Sequence, residues 1–351
     1  MKHFKKTIFL TISTILFSLC APLLAKTSTN DEIRLVGRFT DDLRFGWTGC
    51  SIETFLWKGR KISADLECVE GDSAGLEVIV DGTTHFLKVE KGRKTYLLAD
   101  GLNPDKKHFI QLFKRSEGWL GTVKFYGFIV SEKATLSAPK EKHRKLLVIG
   151  DSITCGYGNE GKTPESGNSV EIENGYMSYA AIAARELNAD LMMVCWSGRG
   201  LFRNLQPNPK DKTLPKLFSQ ILPMQEMPQW DPSTFQPDII VINLGTNDKN
   251  APGGTLREED FSSTYKQFIR QLRGYWPRAN IILSIGPMVY QPISDWLPKI
   301  ADGIKNTSVL IYTPYSGKEE IGGHYHPSVL KDQKMAKKLV ETICNEMNWS
   351  K

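Results

Sequence analysis

LLVIGDSITCGYGNEG, residues 146–161, decides how the rest of the chain is read. Four apolar residues run into a glycine, then Asp151, Ser152 and a glycine-rich turn. A short unbroken apolar run bounded by turn signals fits a strand buried on both faces, as in a parallel sheet. A serine at the mouth of a strand-to-loop turn is where a hydrolase exposes a nucleophile.

The same rhythm continues toward the C-terminus. Residues 179–187 read as a helix, and residues 190–195, 238–243, 281–285 and 309–312 as strands. Residues 259–275 are helical, with Phe261, Tyr265, Phe268 and Leu272 on one face. The chain closes on a helix whose apolar positions include Val329, Met335, Leu339 and Ile343. Strands alternating with helices predict an α/β domain, a parallel sheet flanked by helices.

Toward the N-terminus the rhythm changes. Leu76, Val78 and Val80 alternate with Glu77, Ile79 and Asp81, and the pattern breaks at Asp81-Gly82, a hairpin signal. Residues 86–89, 109–113 and 123–130 are further runs of this kind. Short strands at this spacing predict a β-sandwich. Residues 131–145 are polar, hold Pro139 and several lysines, and read as a linker.

The first 25 residues have the form of a secretory signal. Lys2, Lys5 and Lys6 precede an apolar stretch that ends at Ala25, ahead of a polar run. The predicted organisation is a signal peptide over 1–25, a sandwich over 27–137 and an α/β domain over 138–351, exported to the periplasm or beyond. Losing the signal removes three lysines and no acids, so the formal charge of +6 becomes +3. That mild and scattered excess does not point to nucleic acid. No later stretch is apolar for long enough to span a bilayer. Cys50, Cys68, Cys155, Cys195 and Cys344 remain, without CxxC spacing, so neither a zinc motif nor a disulfide scaffold is expected. Cys50 with Cys68 could bridge; buried free thiols are the other reading.

Three strand ends carry chemistry. The first delivers Ser152, the second Ser197-Gly198-Arg199-Gly200, and the third Gly245-Thr246-Asn247-Asp248. Near the C-terminus, Gly322-Gly323-His324-Tyr325-His326-Pro327 offers a base. A serine hydroxyl needs an imidazole to take its proton during attack. The tetrahedral oxyanion needs donors, which amides beside glycine and an Asn side chain supply. Singly, the later blocks read as a flexible loop, a helix cap and a surface histidine. In order, and each at a strand end, they read as one site. Neither GxxxxGK[ST] nor GxGxxG occurs in these segments, which argues against a phosphate loop. His324 and His326 lack a companion ligand motif, so no metal or other cofactor is expected.

GDSITCGYG, SGRG, GTND and HYHP resemble the four blocks of the SGNH, or GDSL-like, hydrolases. GDSITCGYGNEG and SYAAIAARELNAD behind a β-sandwich resemble carbohydrate esterase family 2, and VGRFTDDLRFGWTGCSIE is similar to the start of that family's jelly-roll domain. The resemblance covers nearly the whole mature chain. It implies a jelly roll followed by an SGNH domain that removes acetyl groups from plant-wall polysaccharides such as xylan or glucomannan. It implies Ser152 as nucleophile, His326 as general acid/base, and an oxyanion hole of Gly198, Asn247 and the Ser152 amide. Asp151 would be structural. Trp196, directly before Ser197-Gly198, is the candidate for sugar contact, whereas Trp47, Trp119 and Trp230 read as core or rim packing.

One position departs from the SGNH pattern. Most of those enzymes carry an aspartate three residues before the histidine, where this chain has Gly323, and no Asp or Glu lies between Ile321 and His326. The expectation is therefore a Ser–His dyad, oriented by a main-chain carbonyl near Gly323 or His324; an Asp arriving from elsewhere is the alternative. His324 competes with His326 as base. Two other functions stay open: an SGNH esterase for another acyl ester (lipid, thioester or bacterial surface glycan), and a non-catalytic carbohydrate-binding protein.

Overall fold

The strand pair around Asp81-Gly82 shows how the first half is built. Val80 and Thr83 face each other across Asp81 and Gly82, whose φ angles of 50° and 86° are both left-handed. That is the hairpin turn whose twist matches the strands it joins. The computed structural model describes residues 25–206, 208 and 211–350, so the expected signal segment lies outside the described residues except for Ala25.

The chain runs through β1 (Ala25–Thr27), β2 (Arg34–Val36), β3 (Arg44–Phe45), β4 (Ser51–Trp57), β5 (Ile62–Gly71) and β6 (Ser73–Val80). It continues through β7 (Thr83–Glu90), β8 (Lys94–Ala99), β9 (His108–Lys114), β10 (Gly121–Ser131) and β11 (Thr135–Ser137). One antiparallel sheet runs β1–β10–β5–β8, with β3 on β10; the other runs β11–β4–β9–β6–β7, with β2 on β4. Leu66, Val123 and Phe125 of the first sheet and Ile52, Leu76 and Leu112 of the second lie buried in a shared core.

The second half alternates strands β12 (Arg144–Gly150), β13 (Ala189–Cys195), β14 (Ile239–Asn243), β15 (Asn280–Ile285) and β16 (Thr307–Ile311) with helices. The helices are α1 (Ser152–Cys155), α2 (Tyr179–Glu186), α3 (Leu214–Leu217), α4 (Thr246–Asn250), α5 (Glu258–Tyr275), α6 (Ile293–Ala301) and α7 (Val329–Met347). The sheet is parallel throughout, in the order β13–β12–β14–β15–β16. Leu147 and Ile149 of β12 share a cluster with residues of α5 and α6, while Leu146 and Val148 share one with residues of α2 and α7. Both faces are covered, as the unbroken apolar strands require. From β12 the chain moves first to one side and then to the other. The crevice beyond such a switch point, at the carboxyl ends of the strands, is where open α/β sheets bind ligands.

Three details differ from the sequence reading. Residues 135–137 of the expected linker form β11, because Ala134 and Leu136 are buried apolar residues inside a polar run. Helix α6 went unread, flanked by Pro292 and holding Pro298, two residues that ordinarily break helices. Alternation along β6 placed Ile79 on the polar face, yet Ile79 is 3% exposed and joins the cluster around α2. Phe113 of β9 lies in the same cluster, its ring 5.2 Å from that of Tyr176. The outer face of the second antiparallel sheet thus packs on the α/β half. Cys50 and Cys68 are both buried free thiols. Among the described residues no helix is long and apolar enough to cross a membrane.

Ile79→Ala should lower the free energy of unfolding by about 2–4 kcal/mol, the usual cost of truncating a buried isoleucine. Urea denaturation measures it; a change below about 0.5 kcal/mol, the usual range for a surface position, would show that this face carries no load.

Candidate active site

The carboxyl ends of β12, β13 and β14 open onto a cleft of about 690 Å³. Ser152, Trp196, Gly198, Asn247 and His326 all line it. The four sequence blocks therefore meet in one place.

Ser152 opens α1, directly after β12. Its neighbour Asp151 caps that helix by accepting the Ile153 amide at 3.1 Å. Asp151 is fully buried, and loss of solvation pushes its carboxyl up to about 7. Its place under the turn, with its side chain on the helix cap, is structural.

His326 presents Nε2 to Ser152 Oγ at 2.8 Å and Nδ1 to the His324 carbonyl at 3.0 Å. An Nδ1 facing a carbonyl carries the ring proton, which leaves Nε2 as the acceptor for the serine hydroxyl. His324 and Tyr325 make this possible with φ of 49° and 63°. Two successive left-handed residues without glycine are costly, and here they bring a carbonyl two residues upstream back under the imidazole. The ring of His324 points elsewhere, with Nδ1 2.9 Å from Tyr157 Oη.

Gly323 explains why no carboxylate stands in this loop. A Cβ there would run into the Gly167 carbonyl oxygen, and the Gly323 amide donates to Gly158 O at 2.8 Å. Among the described residues, no acid arrives at Nδ1 from elsewhere. Asp332 accepts from Asn159 Nδ2 and the Tyr179 amide, both at 3.0 Å, and Glu320 is engaged by Lys331 and Lys334. Of the two groups expected as orienter, the backbone carbonyl is the one in place.

Gly198 has a φ of 76°, and a Cβ there would meet nothing. The loop after it is tied to α4: the buried carboxylate of Asp248 accepts the amides of Leu201, Phe202 and Arg203 at 2.6–2.9 Å. Asn247 directs Nδ2 to Arg199 O at 2.9 Å and, more loosely, to Asp151 Oδ2 at 3.3 Å. The longer contact is the weaker one, so that side of the amide is the one open to sharing with a ligand oxygen. Among the described residues no group of three or more His, Cys, Asp or Glu side chains could hold a metal ion.

Known proteins resemble this chain in sequence and fold. The family described as carbohydrate esterase 2 N-terminal matches residues 35–139, and the GDSL-like lipase/acylhydrolase family matches residues 148–307. The cellulase/esterase CelE of Acetivibrio thermocellus is 34% identical over 86% of this chain, which spans only 38% of that longer protein. An acetylxylan esterase/glucomannan deacetylase of Cellvibrio japonicus is 29% identical, over 92% of this chain and 91% of its own. The structure of a family two carbohydrate esterase from Clostridium thermocellum, in complex with cellohexaose, superposes with a TM-score of 0.84 at 33% identity, covering 91% of this chain and all of that one. The chain belongs to carbohydrate esterase family 2.

In this family 2 chain the sandwich also reaches the cleft. Trp119, between β9 and β10, is 42% exposed and lines it, although the sequence reading assigned it to packing. Trp47 is buried and meets Trp196 edge-on at 6.3 Å, and Trp230 is buried too. Asp248 was read only as a local helix cap. No nearby residues mark Trp119 or Asp248 for these tasks; both act on segments far away in sequence.

Gly323→Asp, which would restore the SGNH pattern on paper, should lower stability by about 1–3 kcal/mol through overpacking and slow ester hydrolysis. Thermal unfolding and initial rates test it together. A variant as stable as the parent and faster would refute the steric account of the missing acid.

Proposed function

We propose that this protein is an exported acetyl esterase that removes O-acetyl groups from plant-wall polysaccharides such as acetylated xylan or glucomannan. The observation that carries the reading is the 2.8 Å contact between Ser152 Oγ and His326 Nε2 on the wall of the cleft. The 3.0 Å contact from His326 Nδ1 to His324 O supports it, by fixing the tautomer that accepts the serine proton. The names of the similar proteins supply the substrate class. In this reading residues 1–25 are removed on export, and residues 27–137 and 138–351 are the two domains of the mature enzyme.

The geometry supports the following steps. Ser152 Oγ attacks the acetyl carbonyl while His326 Nε2 takes its proton. The carbonyl oxygen becomes an oxyanion facing the amides of Ser152 and Gly198 and the Asn247 side chain. The tetrahedral species collapses, the bond to the sugar oxygen breaks, and His326 returns the proton to that oxygen. Water then repeats the cycle on the acetyl-enzyme: His326 takes a proton from the water, acetate leaves, and Ser152 regains its hydrogen. An imidazolium with no carboxylate beside it is a stronger acid, which suits the step that protonates the departing sugar. Trp196 and Trp119, both on the cleft wall, offer apolar surface to the sugar ring.

Ser152→Ala and His326→Ala should each reduce 4-nitrophenyl acetate hydrolysis by at least about ten-thousandfold, as loss of a nucleophile or its base does in serine hydrolases. Asn247→Ala should cost roughly a hundred- to thousandfold, the usual effect of removing an oxyanion donor. Acetate release from a panel of acetylated xylan, glucomannan and long-chain acyl esters locates the substrate. Faster turnover of long acyl chains would point away from acetyl groups.

Acidity gives a separate test. Burial without a carboxylate partner holds His326 down at about 4, below its ordinary 6.5. Catalysis requires the neutral ring, so kcat/KM should hold steady as pH falls through 6.5 and decline only toward 4. A rate that halves near pH 6.5 would mean that burial does not depress the imidazole.

A further inference from the structure

The connection between β9 and β10 belongs to the sandwich in sequence, yet its Glu117 ends against Ser197, a residue that lines the cleft. Glu117 is 1% exposed. Its carboxylate accepts both donors of a single distant residue: the Ser197 amide at 2.6 Å on Oε2 and the Ser197 hydroxyl on Oε1. Ser197 directly precedes Gly198, the candidate oxyanion donor.

Gly198 faces open space on its side-chain side, where a carbon would touch nothing within 4 Å. Its place is fixed by backbone anchors on either side. Asp248 grips the amides of Leu201, Phe202 and Arg203, the Leu205 amide donates to Gly198 O at 2.8 Å, and Glu117 grips residue 197. Of these anchors, Glu117 is the one that comes from the sandwich.

The contacts continue behind Glu117. Its own amide donates to Glu173 Oε1, and Asn168 Nδ2 donates to Glu173 Oε2. Asn168 Oδ1 accepts the Gly158 amide at 2.9 Å, and Gly158 O accepts the Gly323 amide at 2.8 Å. An unbroken chain of hydrogen bonds therefore joins the Ser197–Gly198 turn to the loop that bears His326.

We infer that Glu117 is a positioning residue for ester hydrolysis: by holding both donors of Ser197 it sets the Ser197–Gly198 peptide, which makes the sandwich a working part of the active site. The inference rests on the esterase reading of the cleft. Burial drives the carboxyls of Glu117 and Glu173 upward and pushes the neighbouring Lys114 ammonium down to about 8. A cluster this poorly solvated is expensive to maintain, and a carboxyl that holds one residue at two points fixes its orientation more firmly than a single bond does.

The test uses the full chain and 4-nitrophenyl acetate, with Ser152→Ala as the control. Glu117→Ala should lower kcat by roughly ten- to a hundredfold, the scale set by an ångström-level misplacement, while KM stays within about twofold. Glu117→Gln should recover most of that loss, because its amide oxygen still accepts the Ser197 N–H and its amide nitrogen can donate to the Ser197 hydroxyl. Ser197→Ala should lower kcat by about tenfold at unchanged KM, since only one of the two bonds is lost. The double variant Glu117→Ala/Ser197→Ala should be no slower than Glu117→Ala alone, since both changes break one contact.

A folded Glu117→Ala protein with parental kcat would overturn the inference, as would effects that multiply in the double variant. If Glu117→Ala does not fold, Ser197→Ala decides: an unchanged kcat overturns the role, and a kcat loss at constant KM supports it. A parent with no Ser152-dependent hydrolysis would overturn the esterase reading and this role with it, an outcome the control separates from the others.

Discussion

The site depends on a carbonyl group. His324 O at 3.0 Å from His326 Nδ1 determines which ring nitrogen carries the proton, and so which can face Ser152. A carboxylate would do the same and also stabilise the charged ring strongly; the carbonyl does so only weakly, and burial outweighs it. The loop geometry leaves no other choice, because Gly158, Gly167 and Gly323 approach one another too closely for a side chain at position 323. The left-handed backbone at His324 and Tyr325 doubles the chain back on itself, and the His324 carbonyl is the acceptor in place.

The same close fit joins the two halves. The second antiparallel sheet does not end at solvent; Ile79 and Phe113 pack among residues of the α/β half. Arg115 carries the connection from apolar to polar, donating to Glu77 at 2.8 Å, to the Glu173 carbonyl at 3.0 Å and to Glu160. Arg115, Glu117 and Trp119 are alternate residues of one short connection. They reach in turn the interface, the Ser197 turn and the cleft wall. Sandwich and sheet are thereby one mechanical body at the active-site edge.

Much of this was legible in the sequence, and what was not has a common cause. Apolar strands ending in glycine, the Asp81-Gly82 turn and the four strand-end blocks are local patterns, because turn chemistry and periodicity act over a few residues. The family resemblance drew on those same blocks. Ile79, Trp119 and Glu117 were missed because their partners lie far along the chain; Glu117 and Ser197 are 80 residues apart. No local pattern distinguishes a polar face that meets water from one that meets another domain. Helix α6 and strand β11 were missed for the opposite reason: prolines in one and polar neighbours in the other gave local signals that tertiary packing overrode.

The missing carboxylate has a consequence outside the molecule. In the proposed reaction each turnover releases acetic acid beside the imidazole. An imidazole paired with aspartate binds protons more readily and would be titrated by its own product. One that leans on a peptide carbonyl, and is held down at about 4, stays neutral as its surroundings sour. In that reaction burial, with only a carbonyl as partner, would let the imidazole tolerate the acid it makes.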